Sequence, residues 1–404
     1  MPNSDFDKAS DTLRVSLAWA FLAVALLAFW QYLTVHYNWH GNWTALFCTG
    51  DAERVPPQLA PTTYLFEHSA GYDGQMYRYV AHDPLGELGF TKYIDAPVLR
   101  YRRILVPAIA FALAVSRQQS IDISYIAVVA IFVLIGSYWL SRWAAIQGFH
   151  PAWGLAFLLT PATLISMDRM TVDVAIAAFT VGLAYYSTIR STAGLYCVLV
   201  LACLARETGV LLLAAMCIYE LWSGRLARAL LWATAGVPML IWYLFLFTHL
   251  PVVGSGPGIP QWFAAKFGWG IIARMLDPRR YPLPAALETF TRSLDVIALL
   301  GIICAIAASV ILLSARSPDP LTITAALFAI LAVVLTTPHY WDECYSYSRV
   351  FTPLLIAIAL RAVALGGRTP NWWWMLAPAA LVDLRVGLQL GPQVLGILQG
   401  IAGR

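Results

Sequence analysis

The stretch GYDGQMYRYVAHDP, residues 71–84, sets a carboxylate between two glycines and beside several tyrosines. Gly71 and Gly74 let the backbone turn tightly around Asp73. Tyr72, Met76, Tyr79 and Val80 recur at helical spacing, which predicts a short amphipathic helix on a membrane surface. Asp73 falls near the start of that helix, where the dipole favours a carboxylate. Two roles fit it: a helix cap, or a catalytic group.

Further along, VLRYRRILVP crowds Arg100, Arg102 and Arg103 at the entry to a short apolar run. Such arginines either snorkel to lipid headgroups or grip a phosphate at the membrane surface. SMDRMTVDVA holds Asp168, Arg169 and, one helical turn further in, Asp173. An acid as deep as Asp173 calls for a partner or a cavity, whereas Asp168 can serve as a cap. LARETGVLLL breaks an apolar hairpin with Arg206 and Glu207. Adjacent residues on a helix do not face each other, so each charge requires a further partner. PHYWDECYSYSRVFTP is rich in aromatics, among them Tyr340 and Trp341, and ends with Arg349 at a helix start. Its rings fit either a membrane interface or a platform for sugar rings, and a cation at a helix N-terminus opposes the dipole.

The elements that carry these residues are apolar. Of 404 residues, 60% are hydrophobic and 12% charged, where soluble domains carry about 25% charged residues. The composition therefore predicts an all-α polytopic membrane protein, read as one transmembrane domain over 1–404. A net charge of +4, scattered over loops, makes no case for nucleic acid binding. The first apolar run, 15–34, has no small-residue cleavage site after it and reads as an uncleaved helix. The six cysteines lack metal-ligand spacing. Cys48 and Cys344 fall in polar loops and could pair if both loops face an oxidising compartment.

Later apolar runs cover 122–141, 152–167, 172–189, 192–205, 208–222, 229–249, 293–314, 320–337, 349–366 and 372–390. The run 104–115 holds Pro107 and is too short to cross, so it reads as re-entrant or interfacial. With the N-terminus in the cytoplasm, Arg142, Arg190, Arg225, Arg228, Arg316, Arg361 and Arg368 all fall in cytoplasmic turns. This threading predicts about eleven spans. It puts the loops 35–121 and 250–292 outside, with Asp73, Asp168, Asp173, Glu207 and the nearby arginines on one face. The second of these loops carries Trp262, Trp269 and the run Asp277-Pro278-Arg279-Arg280, which could close over a site. Asp383 and Arg385, inside 372–390, need partners or a wet surface.

The order of these motifs resembles the GT-C superfamily of integral-membrane glycosyltransferases, in particular the polyprenyl-phosphate-sugar users related to GPI mannosyltransferases. Their W/Y-D-G/A-x-x-Y-x-x-I-A stretch is matched by Tyr72-Asp73-Gly74-Gln75-Met76-Tyr77 and on to Val80-Ala81. Their proline-bearing apolar helix is matched by Ile104 to Val115, and their R-x-x-G turn by Arg206-Glu207-Thr208-Gly209. A P-A helix end leading to an acid is matched by Pro161-Ala162 with Asp168 or Asp173. The resemblance spans about residues 15–225; the usual Y-x-E after the proline helix is absent, with Asp173 as a positional stand-in.

The resemblance implies a GT-C-like bundle whose site faces away from the cytosol, as in a bacterial inner-membrane enzyme with a periplasmic site. It implies transfer of a sugar from a polyprenyl-phosphate donor to a hydroxyl on a glycan, lipid or protein acceptor, with Asp73 as general base and inversion at the anomeric carbon. Arg206, Arg102, Arg103 and Arg349 would hold the donor phosphate, with Asp168, Asp173 and Glu207 as supporting acids. Tyr72, Tyr77, Tyr340 and Trp341 would form the sugar platform. No cofactor or metal is expected, because arginines can neutralise a monophosphate leaving group. Two other classes remain open: a flippase or transporter of lipid-linked sugars, and a non-catalytic partner in envelope assembly.

Overall fold

The apolar runs become helices, the form that satisfies every backbone group without water. The computed structural model describes residues 3–250, 266–314, 318–366 and 372–403, with side chains from residue 12 onward. Trp262, Arg316 and Arg368 lie outside the described residues. Among the described residues, five segments are long and apolar enough to cross a membrane: Thr12–Asn38, Gln118–Ile146, Leu226–His249, Ala285–Leu313 and Cys344–Leu365. A sixth candidate is a pair of helices, Trp372–Leu388 and Gly391–Ile401, bent by 47° at their junction.

In chain order, α1 (Asn3–Asn38) leads into a loop that carries α2 (Asp73–His82), α3 (Pro97–Arg102) and α4 (Leu105–Leu113). A two-residue parallel pairing, Thr49 opposite Leu65 and Gly50 opposite Phe66, pins this loop to itself. Then come α5 (Ile121–Ile146), α6 (Pro161–Arg169), α7 (Asp173–Thr188), α8 (Thr192–Ala205) and α9 (Gly209–Trp222). After these follow α10 (Leu226–Ala233), α11 (Val237–His249), α12 (Trp269–Leu276) and α13 (Ala285–Leu313). The chain closes with α14 (Pro320–Val334), α15 (Cys344–Leu365), α16 (Ala377–Leu388) and α17 (Gly391–Ile401).

α1 shows how the pattern decides what is buried. Ser16, Ala20, Ala23, Leu27 and Gln31 recur every three or four residues and are buried, while Phe21 and Phe29 on the other face are about 60% exposed. The buried stripe packs on α5, and the Gln31 amide donates to the Met167 carbonyl at 3.0 Å. α7 is the opposite case. It is buried on all sides from Asp173 to Tyr185, as expected of a helix apolar around its whole circumference.

Several runs form shorter helices than their apolar length suggests. The run 152–167 splits into a 3-10 stretch, Pro151–Leu159, and α6, because Pro161 donates no backbone bond and holds Thr160 extended. α4 has 9 residues, about 14 Å of helix, well short of a bilayer.

α2 corrects a sequence expectation. It does not lie on a surface; Gly74 to His82 are all buried. Its polar side chains find partners inside the fold. Arg78 donates to both oxygens of Asp122 at 2.8 and 2.7 Å, and His82 Nε2 lies 3.1 Å from the same carboxylate at the start of α5. With those groups paired, water is no longer needed on the polar face. The close packing also explains Gly74: a Cβ there would sit 2.0 Å from the Arg169 carbonyl oxygen.

Candidate active site: a ring of alternating charges

Three breaks in the helical pattern meet at one end of the bundle. The first is the start of α2, with Asp73 as its first residue. Tyr72, not Asp73, is the N-cap, so the capping role falls away. The second is the α8–α9 turn, where Arg206 is extended and Gly209 donates back to the Arg206 carbonyl at 2.9 Å. Only glycine fits at 209, since a Cβ would meet the Ala202 carbonyl at 1.9 Å. The third lies inside α15, where Pro353 cannot bond the carbonyl four residues back, that of Arg349 in the second turn.

The side chains from these breaks form a closed circuit. One Asp73 oxygen accepts from Arg349 and the other lies 2.9 Å from Arg100 Nη1. Arg349 reaches Asp173 with its other terminal nitrogen at 3.4 Å. Asp173 pairs with Arg206, whose Nε lies 3.8 Å from Glu207. Glu207 takes a two-pronged grip from Arg103, at 2.8 and 2.5 Å. Arg103 also donates to the Tyr77 hydroxyl at 2.5 Å, and the Tyr77 ring lies 5.5 Å beneath Arg100. The circuit thus returns to Asp73. Arg100 is steadied from outside by Asp95, at 2.9 and 2.6 Å.

Four guanidinium groups and three carboxylates make up the circuit, so it carries one surplus positive charge unless Asp95 is counted. Asp173 is fully buried and Arg206 nearly so. Asp73 and Glu207 are the most open members, with side chains 18% and 34% exposed. Those two acids are where the circuit comes nearest to solvent. The Arg349 Nε and the Thr208 hydroxyl are buried and have no hydrogen-bond partner among the described residues. Arg349 also lies 5.0 Å over the Tyr72 ring.

Burial alone would raise the Asp73 carboxyl. Arg349, Arg100 and Arg103 outweigh it and hold the group well below the usual carboxylate range. Glu207 is likewise buried, and Arg103 and Arg206 bring it down to about 2. Both acids are ionised at any physiological pH.

The expected site residues divide. Asp73, Asp173, Glu207, Arg103, Arg206 and Arg349 meet in the circuit. Tyr77 is buried and meets it as a support for Arg100 and Arg103, while half-buried Tyr72 lies beneath Arg349 and also faces a neighbouring cavity. Tyr340 is half-buried within electrostatic reach of Arg206, Arg349 and Arg103. Arg102 is a correction: it turns away and stacks on Tyr243 and Phe247 of α11, at 5.1 and 5.6 Å. Asp168 is another. It pairs with Arg169 at 3.1 Å and accepts from Gln393 at 3.2 Å and Tyr345 at 3.4 Å, outside the circuit. Trp341 is a third, being 1% exposed, stacked on Phe351 at 5.2 Å, with its indole N–H given to the Leu335 carbonyl. Its ring is part of the core and offers no face to a sugar.

Arg100, grouped with Arg102 and Arg103 in the sequence but not among the expected donor-binding residues, is the further member. Helical spacing alone does not single it out, because α3 ends at Arg102 and Arg103 leaves the helix as its C-cap.

On the far side of Tyr72 lies a cavity of about 330 Å³, walled by Tyr72, Tyr281, Tyr345, Arg169, Arg279 and Glu343. Cys48 and Cys344 both line it and both are free, so no disulfide joins them. The described part of 250–292 supplies one wall of it. Arg279 pairs with Glu343, and Arg274 of α12 pairs with Asp342, which ties this segment to the 338–343 turn.

Arg385 has the partner the sequence demands, Asp295 at 2.6 Å, while the Asp383 Oδ1 has none among the described residues. Comparison of the chain with protein families, with curated proteins and with solved structures gives no match.

Proposed function

We propose that this chain is a GT-C-type glycosyltransferase of about eleven spans, moving a sugar from a polyprenyl-phosphate donor to an acceptor hydroxyl. The observation that carries the reading is the position of Asp73: a carboxylate at the open edge of a circuit that holds four buried arginines.

With two guanidinium groups sharing its charge, Asp73 is a weak base. A donor phosphate entering at the opening competes for Arg349 and Arg100. Each contact they give the phosphate is one withdrawn from Asp73, which raises its basicity when the donor is in place. The acceptor hydroxyl then loses its proton to Asp73 while its oxygen forms the new bond to the anomeric carbon. The bond from that carbon to the phosphate oxygen breaks with its electron pair, and the lipid phosphate leaves with added negative charge. The arginines stabilise that charge, and attack opposite the leaving group inverts the centre. The Tyr72 cavity, with three tyrosines in its wall, is the place for the acceptor. On this reading the site opens to the non-cytosolic side of the membrane.

The test is to incubate the purified protein with a panel of polyprenyl-phosphate sugars and candidate acceptors. Release of free lipid phosphate together with a glycosylated acceptor supports the transferase. Movement of the intact donor across vesicle membranes, without release of lipid phosphate, supports the flippase instead.

A further inference from the structure

α7 and α9 both begin beside the charge circuit and run to the other end of the bundle, about 20 Å away. There the fold leaves a second cavity, of about 570 Å³, whose wall includes Ser187, Arg190, Glu220, Arg225, Arg228 and Trp232. Nothing in the proposed transfer reaction uses it.

We propose that this cavity binds a phosphate group, carried by an anionic lipid headgroup or by a soluble phosphate compound. Three observations support it. The first is charge. Glu220 is 1% exposed and is met by two arginines, Arg225 at 2.6 Å and Arg228 at 3.7 Å, so one guanidinium is in excess. Asp319, the other acid in the wall, is already answered by Arg361 at 2.7 Å and by the Thr322 N–H at 2.8 Å. Arg190 has no ion-pair partner among the described residues. Two positive charges thus border the cavity without a matching acid.

The second observation is an unmet donor. Trp232 is 1% exposed, and its indole N–H has no hydrogen-bond partner among the described residues. Buried tryptophan N–H groups ordinarily find one. The Ser187 hydroxyl in the same wall is also unpartnered. Guanidinium groups together with N–H and O–H donors are the chemistry that binds phosphate oxygens.

The third observation is the rim. Trp222, Leu226 and Leu230 are 66%, 61% and 61% exposed and flank the two arginines on α10 and the turn before it. A lipid whose phosphate enters the cavity would lay its acyl chains along that surface.

The experiment uses the full chain purified in a neutral detergent. Native mass spectrometry measures binding of phosphatidylglycerol against phosphatidylcholine with the same chains, and calorimetry measures inorganic phosphate in parallel. The expected result is at least a fivefold preference for phosphatidylglycerol, reduced about fivefold by the pair Arg190→Gln and Arg228→Gln and also reduced by Trp232→Phe. Arg14→Gln removes an exposed charge that does not line the cavity and should leave the preference intact. Should the double variant fail to fold, Arg190→Gln alone carries the test, with about a twofold loss expected. Phosphate binding without lipid preference, lost in the same variants, assigns the site to a soluble phosphate compound. Binding of neither probe, or equal losses in the Arg14 variant, overturns the proposal.

Discussion

Arg349 donates to Asp73 across 276 positions of chain, joining the second turn of α15 to the start of α2. The same guanidinium reaches Asp173 at the start of α7, so one side chain ties together three helices. The sequence expectation of a cation at a helix N-terminus is corrected: α15 begins at Cys344, so Arg349 lies beyond the first turn, where the dipole no longer opposes it. The pairing fixes Asp73 at the open edge of the circuit.

The neighbours Arg102 and Arg103 should behave as different residues. Arg103 grips Glu207 and Tyr77, so Arg103→Gln is expected to lower turnover by about 100-fold, the scale for loss of one transition-state donor. Arg102 faces Tyr243 and Phe247, so Arg102→Gln should leave turnover within about twofold. Steady-state rates of lipid phosphate release, with melting temperatures as a fold control, separate the two.

Asp173 is the fully buried acid between Arg206 and Arg349. Removing one partner of such a pair leaves buried charge uncompensated, so Asp173→Ala is expected to destabilise the protein by about 3–5 kcal/mol. Adding Arg206→Met should recover part of that loss, because the stranded cation is then gone. Denaturant titration in detergent measures both. Losses from Asp173→Ala and Arg206→Met that simply add in the double variant would show that the pair is not coupled.

Acid should weaken the fold in a defined window. Asp73 and Glu207 are depressed in the folded state, so their contribution to stability is complete above the unfolded carboxylate values near about 4. It is lost as pH falls further, through about 2 for Glu207. Melting temperatures are thus expected to hold steady from about pH 5 to 8 and to drop below about pH 4. A steep loss between about pH 5 and 7 would place the controlling group outside the circuit.

Gly74 packs against the Arg169 carbonyl with no room for a methyl group. Gly74→Ala should cost about 1–3 kcal/mol of stability and displace Asp73, the residue before it. Lowered turnover with a lowered melting temperature is the expected outcome.

The sequence made some of this legible and hid the rest for identifiable reasons. Charges that interrupt apolar runs, such as Asp173, Arg206 and Arg349, need partners wherever they lie, so their convergence could be anticipated from desolvation alone. The all-helical build followed from composition. What spacing could not supply was which neighbour each charge would choose. Arg102 found aromatic rings on α11, and Asp168 found Arg169, Tyr345 and Gln393, partners from 1 to more than 200 positions away. α2 was misplaced because its amphipathic pattern looks the same whether the polar face meets water or Asp122. Trp341 shows the same ambiguity for an aromatic ring, which reads identically in a platform and in a core.

The most direct measurement compares wild type and Asp73→Asn in two assays on one preparation: binding of a polyprenyl-phosphate sugar, and its transfer to an acceptor. The amide keeps the shape, and its one oxygen can still accept from one of the two arginines that now meet separate carboxylate oxygens. Binding within about threefold of wild type and transfer lowered by roughly 1000-fold are expected, the range for loss of a general base. Transfer at the wild-type rate by Asp73→Asn would contradict the assignment of that carboxylate as the base.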